Sequence, residues 1–254
     1  MFLDPGLLRK TLFLDIETVS AYPSFDEMPL EMQSLWEDKA RLLQKGNTNA
    51  QITPESNELY SLKAGIYSEF AKIVCISMGF LHFEGNVPHS IRIKSLAGDD
   101  ERHLLQDFSA LLTNHYNDPS QHRLCGHNIR EFDIPFICRR MAINRVAFPP
   151  ILEISGKKPW QTTHILDTLD LWRFGDYKNY TSLRLLAGVM GIPSPKDDID
   201  GSQVGAVYWE ESDIDRIVTY CQKDVVTVIQ LMLAFSGNDA ISASNVEYLN
   251  VTVE

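Results

Sequence analysis

The chain has 254 residues, 44% of them hydrophobic and 22% charged, which fits an ordinary globular protein with one substantial core and, by its length, one domain over 1–254. Its formal net charge of −11 argues against binding a polyanion across a wide surface, so any nucleic-acid contact is expected to be local. Four separated cysteines (Cys75, Cys125, Cys138, Cys221) argue against a disulfide scaffold or zinc site, and with no apolar run read as membrane-spanning and no secretory pattern in MFLDPGLLRK, a cytoplasmic protein without a membrane partner is expected.

In chain order, Thr11 to Ser20 (TLFLDIETVS) alternates Leu12, Leu14 and Ile16 with Phe13, Asp15 and Glu17, the period of a strand with both carboxylates on one face. Apolar neighbours on both sides place that strand inside a sheet. Two unpaired carboxylates there are costly unless something positive lies between them, and a divalent cation is the simplest candidate. A lone D-x-E also arises by chance, so the rest of the chain must decide.

Ala21 to about Gly65, with Pro23, Pro29, Pro54 and the polar run GNTNAQITPESNE, reads as an insertion at about 21–65 holding a packing helix from Leu30 to Lys45. Lys72–Phe83 and Val87–Leu96 read as a hairpin, and Gly98-Asp99-Asp100 caps a helix carrying Leu104, Leu105, Phe108, Leu111 and Leu112. A strand at Arg123–Gly126 leads to a helix beginning near Asp133, with Pro135 tolerated in its first turn. HILDTLDLWRF reads as a strand passing into a short helix, and Thr181 as the N-cap of SLRLLAGVM. A loop crowding Asp197, Asp198 and Asp200 follows; Ser212 then precedes a long helix, about Asp213 to Phe235, and the tail from Ser236 carries no readable signal. Strands as a meander, then strands alternating with helices, give an α/β mixed sheet with helices packed against it.

Two further carboxylates stand out. Asp133 sits at a helix start, where a carboxylate is often only a cap. Asp224 lies four residues after Tyr220, so both leave the same face of the last helix. Together, D-x-E in LFLDIETV, N-x-x-x-F-D in GHNIREFD and Y-x-x-x-D in YCQKD resemble, in order, the three motifs of the DEDD exonucleases. The likeness is to the DnaQ-like 3′-5′ exonucleases, of RNase H-like fold, and within them to the proofreading domain of family B DNA polymerases. Tyr220, with Thr219 where another branch carries His, places the chain with the Tyr (DEDDy) branch.

The resemblance implies an RNase H-like sheet, an antiparallel meander followed by parallel strands, flanked by helices. It implies a 3′-5′ exonuclease hydrolysing phosphodiester bonds at the 3′ end of single-stranded DNA and releasing nucleoside 5′-monophosphates. Two divalent cations, Mg²⁺ or Mn²⁺, about 4 Å apart would be held by Asp15, Glu17, Asp133 and Asp224. Asp15 would bridge them, Glu17 and Asp224 would complete the water-activating site, Asp133 would hold the ion near the leaving oxygen, and Tyr220 would orient the water. Thr18 would lie near the terminal 3′ hydroxyl, with Asn128 and Phe132 lining the nucleotide pocket.

Arg130, Lys157, Lys158, Arg173 and Lys178 are near enough to the motifs to meet phosphates, though each reads first as a surface charge; His127 and His164 read as structural. With no polymerase module after the last helix, a free-standing enzyme is expected, with a separate polymerase or repair partner as one possibility. An exoribonuclease and a catalytically inactive nucleic-acid-binding module on the same fold are the alternatives.

Overall fold

Strand β1 has the bounds its alternation predicts, Thr11–Ser20, and lies at the centre of a seven-stranded mixed sheet. The computed structural model describes residues 5–45, 55–193, 198–249 and 252–253. After α1 (Pro5–Leu8) and β1 come α2 (Leu30–Lys45), α3 (Ser56–Lys63), β2 (Ala71–Glu84), β3 (Val87–Ala97), α4 (Glu101–His115), β4 (Arg123–Gly126) and α5 (Asp133–Asn144). The chain continues through β5 (Ile165–Asp167), α6 (Thr168–Arg173), α7 (Leu183–Val189), α8 (Val204–Ala206), a wide turn at Val207–Glu211, α9 (Ile214–Phe235), β6 (Val246–Tyr248) and β7 (Thr252–Val253). The strand order is β5-β4-β1-β2-β3-β6, with β7 also on β3. The meander β1-β2-β3 is antiparallel, and β4 and β5 run parallel to β1, as the motif order implies.

The period of two in β1 sorts its side chains between two helical layers. Leu12, Leu14 and Ile16 join Leu105 and Phe108 of α4 and Ile134 and Ile137 of α5. Phe13 packs on the other face with Val225, Val228 and Ile229 of α9. Asp15 and Glu17 share the parity of Phe13 and therefore the α9 face. Pairing of β1 with β2 slips between Glu17 and Thr18, where β2 has one extra residue, Val74, so a bulge lies beside the D-x-E.

Helix α9 corrects one expectation. At 22 residues it is long and apolar enough to cross a membrane by length and composition. That apolarity is instead used inside the fold, because α9 lies across β1, β2 and β3 and buries Ile217, Cys221, Val225, Ile229 and Leu233. Gly79 of β2 permits the close approach: a Cβ there would sit 2.8 Å from side-chain carbons of Val225, Ile229 and Ile93. Two caps also differ. Asp213, not Ser212, accepts the Arg216 amide at 3.1 Å, and Ser212 takes a left-handed φ of 55°. Ser182, not Thr181, caps α7, since Thr181 is held through its carbonyl by His127.

The insertion makes its own small core. Trp36 of α2 is fully buried against Tyr60 and Phe70, with ring centroids 5.3 and 5.0 Å away, and its indole donates to the Ser56 carbonyl at 2.8 Å. This is the packing helix expected, although Leu35 and Leu42 face solvent. Residues 46–54 of the insertion, and Asp197 of the acidic loop, lie outside the described residues.

A buried ion pair ties the layers together. Glu101, first in α4, accepts from Arg140 of α5 at 2.8 and 2.5 Å, from the Ile73 amide of β2 at 2.8 Å and from Asn144 at 2.8 Å. Arg140 also donates to the Ser68 carbonyl at 2.8 Å, which fixes the chain where it enters β2 beside the bulge.

Candidate active site

The cluster of carboxylates forms where β1, the start of α5 and the middle of α9 meet. On β1, Asp15 and Glu17 point toward α9, and their oxygens lie with the Cys221 sulfur within 4.8 Å of one another, a donor set that could hold a metal ion. Burial pushes the Asp15 carboxyl well above its ordinary range, and the charges of Asp133 and Asp224 push it further, while the Cys221 thiol opposes the shift. Glu17 is raised likewise by burial and then by Asp15 and Asp224.

Asp133 opens α5 and is buried. It is not the cap of its helix in the usual sense: its carboxylate reaches across to accept the Ile16 amide at 3.2 Å. Burial pushes it up to about 7, opposed by hydrogen bonds from its own amide and that of Ile16. On α9, one helical turn separates Tyr220 from Asp224, so both side chains leave the same face of the helix. The Tyr220 phenol is pushed up by burial and by the charges of Asp224, Glu17 and Asp15, so it stays protonated at neutral pH. Four carboxylates and a phenol from three motifs thus act on one another across one site.

Cations fit this donor set. The groups acting on Asp15, Glu17 and Asp133 are chiefly one another, Asp224 and, for Asp133, Asp167, all of them acidic. Hard oxygen donors buried together with mutual repulsion are suited to divalent ions.

The substrate positions expected from the second motif are ordered by a residue the sequence reading did not single out. Asp167, buried at the end of β5, accepts the amides of Asn128 at 2.8 Å and Arg130 at 3.1 Å, and caps α6 through the Leu169 amide at 2.9 Å. Asn128 is held at a left-handed φ of 61° with its side-chain oxygen buried and unpartnered among the described residues. The readable signal was the capping pattern D-T-L at the strand end. Phe132 is half-buried against the core, its ring 5.4 Å from Phe136. The Thr18 hydroxyl donates to the Gly65 carbonyl at 2.7 Å, fastening the end of the insertion to β1.

Cys221 was also missed as a neighbour of the carboxylates. Its thiol lies 3.5 Å from Asp15 Oδ2. Beside it, Gln222 donates to Ser95 at 3.0 Å and Ser95 pairs with Ser77 at 2.8 Å, a polar seam locating α9 on the sheet. His127 and His164 are structural as expected: His127 bridges the Thr168 hydroxyl and the Thr181 carbonyl, both at 2.9 Å, and His164 meets the Ile151 carbonyl at 3.0 Å. Arg130 and Arg173 are engaged within the protein, Arg130 by Thr162 and Ile165 and Arg173 by Glu131 and Asp170.

The chain belongs to the family of predicted 3′-5′ exonucleases related to the exonuclease domain of PolB, which it matches over residues 66–246, more than half its length. Asp133, Tyr220 and Asp224 lie inside the matched region, and Asp15 and Glu17 precede it. Among solved structures, the family B DNA polymerase from the hyperthermophilic archaeon Pyrobaculum calidifontis is similar at 15% identity and a TM-score of 0.48, over 88% of this chain and 24% of the polymerase. No curated protein matches the chain.

Proposed function

We propose that the protein hydrolyses phosphodiester bonds stepwise from the 3′ end of single-stranded DNA, releasing nucleoside 5′-monophosphates, with Mg²⁺ or Mn²⁺ held by Asp15, Glu17, Asp133 and Asp224. What supports this reading is the mutual repulsion of these carboxylates in one buried site. Bound divalent cations would relieve that repulsion, receive phosphate oxygens and lower the pKa of water.

The chain's own part is positioning. Alternation along β1 sets Asp15 and Glu17 side by side, and the Ile16 amide between them fixes Asp133. Tyr220 keeps its proton and lies one helical turn from Asp224, so its role is to orient the attacking water, not to deprotonate it. Thr18 follows Glu17 and Phe132 precedes Asp133 in the chain, and with Asn128 of the same second motif they are assigned to the terminal nucleotides. A polymerase or repair complex is the partner class this reading favours.

The test is a gel of 5′-labelled single-stranded DNA and RNA of matched sequence with Mg²⁺ or Mn²⁺, comparing wild type with Asp15→Ala and Asp224→Ala. A ladder shortening from the 3′ end of DNA with wild type alone is expected. A ladder on RNA only would make the protein an exoribonuclease, and no ladder with strand binding retained would make it an inactive binding module.

A further inference from the structure

One loop outside the carboxylate cluster departs from the chemistry of the remaining surface. Between α6 and α7, Phe174, Tyr177 and Tyr180 recur at three-residue intervals and are 76%, 74% and 62% exposed; Trp160, in the preceding loop, is 73% exposed. Scattered exposed aromatics are ordinary, but three within seven residues are not. The loop is fastened: the Asp176 amide donates to the Arg173 carbonyl at 2.8 Å, the Lys178 amide to the Asp176 carboxylate at 3.0 Å, and His127 holds the Thr181 carbonyl at 2.9 Å. The Tyr180 ring lies edge-on to His127 with centroids 6.3 Å apart, and its phenol, raised by partial burial, also feels the charges of Asp167, Asp133 and Asp15. His127 also meets the Thr168 hydroxyl at 2.9 Å and opens the segment that leads to Asp133, so Tyr180 stands beside the second motif. Tyr177 lies 5.5 Å from the Arg173 guanidinium and lines a cleft of about 620 Å³ with Arg130, Lys157 and Asp167.

The charge of this region runs against the acidic balance of the chain. Residues 157–184 hold Lys157, Lys158, Arg173, Lys178 and Arg184 against Asp167, Asp170 and Asp176, whereas the whole chain has 23 Lys and Arg against 34 Asp and Glu. Asp167 is buried beneath backbone amides, and Asp170 pairs with Arg130 at 3.6 Å and Arg173 at 3.0 Å. Lys157, Lys158 and Lys178 are all exposed. Exposed aromatic faces interleaved with cations suit an unpaired strand, whose bases stack on rings whatever their identity and whose phosphates meet the lysines.

We propose that Phe174, Tyr177 and Tyr180 form a stacking platform for the unpaired 3′ end of a nucleic-acid strand, with Lys157, Lys158 and Lys178 meeting its phosphates. It builds on the nuclease reading and adds the path by which the strand approaches the carboxylates.

The test measures anisotropy of 5′-labelled oligo-dT and oligo-U of two to eight nucleotides with the full chain in EDTA, which blocks metal-dependent cleavage. Wild-type affinity is expected to rise with length and fall with salt. Tyr177→Ala and Tyr180→Ala should each weaken binding by about tenfold, with Tyr177→Phe and Tyr180→Phe retaining it. Alanine variants that bind as wild type at every length, or a wild type that binds neither strand, would overturn the platform. A wild type that binds through this loop yet shortens no strand when metal is added would overturn the nuclease reading and leave the platform standing.

Discussion

The amide of Ile16, between the two carboxylates of β1, donates to the Asp133 carboxylate at 3.2 Å and so ties the first motif to the second across 117 residues of chain. Asp133→Asn keeps an oxygen acceptor and removes the charge, while Asp133→Ala removes both and strands a buried amide. The Asn variant should be more stable than the Ala variant by about 1–3 kcal/mol in denaturant unfolding, with both deficient in 3′-end cleavage. Equal stability of the two would remove the structural role given to this bond.

Metal-free stability should fall as pH rises. Asp133 moves from an ordinary 3.8 to about 7 in the folded chain, and Asp15 and Glu17 are also raised, so the native state holds more protons than the unfolded one between these values. The stabilisation is complete below the unfolded values and is lost as pH climbs through the folded ones. Thermal unfolding in EDTA should give a higher Tm at pH 5 than at pH 8, and Mg²⁺ should recover the loss at pH 8. Asp15→Ala should flatten this dependence and abolish cleavage while remaining folded. A variant that unfolds without metal would contradict the repulsion argument.

Asp167 gathers the amides of Asn128, Arg130 and Leu169. Asp167→Ala should destabilise the fold by about 1–3 kcal/mol and lower cleavage, because the loop leading to Asp133 loses its anchor. Asp167→Asn, which keeps one acceptor oxygen, should fall between the two. Rates and unfolding midpoints measured together decide this: unaltered cleavage in the folded Ala variant would make Asp167 a helix cap alone.

Breaking the buried pair of Glu101 and Arg140 should be costly for a different reason. Glu101→Ala leaves the Arg140 guanidinium buried without its carboxylate and the Ile73 amide without its acceptor, a loss of about 3–5 kcal/mol. Folded protein at low temperature should still cleave, since neither Glu101 nor Arg140 belongs to the three motifs. A drop in cleavage unmatched by a loss of folded protein would show coupling through the β2 bulge.

The readable parts of the sequence are those set by local chemistry. Strict alternation gave β1 its bounds, the four residues Arg123–Gly126 appeared as β4, and Trp36 with its helical neighbours marked α2 as Leu30–Lys45. The motif residues were legible because carboxylates at i and i+2 of a buried strand, and Tyr and Asp at i and i+4 of a helix, need an explanation that composition does not supply. By contrast, β6 lies in a tail without a pattern, and only the free edge of β3 gives Val246–Tyr248 a partner. The roles of Asp167 and Cys221 were equally hidden, because each depends on atoms distant in the chain: the amides of Asn128 and Arg130 for one, the Asp15 carboxylate for the other.

By itself, then, the sequence determined which residue types stand at the strand, helix start and helix turn that carry the chemistry, since propensity and periodicity act over a few neighbours. Only the tertiary structure decided which charges face one another, which loop is pinned beside them, and that the apolar length of α9 serves a protein core, because those outcomes follow from long-range packing of layers that no local pattern encodes.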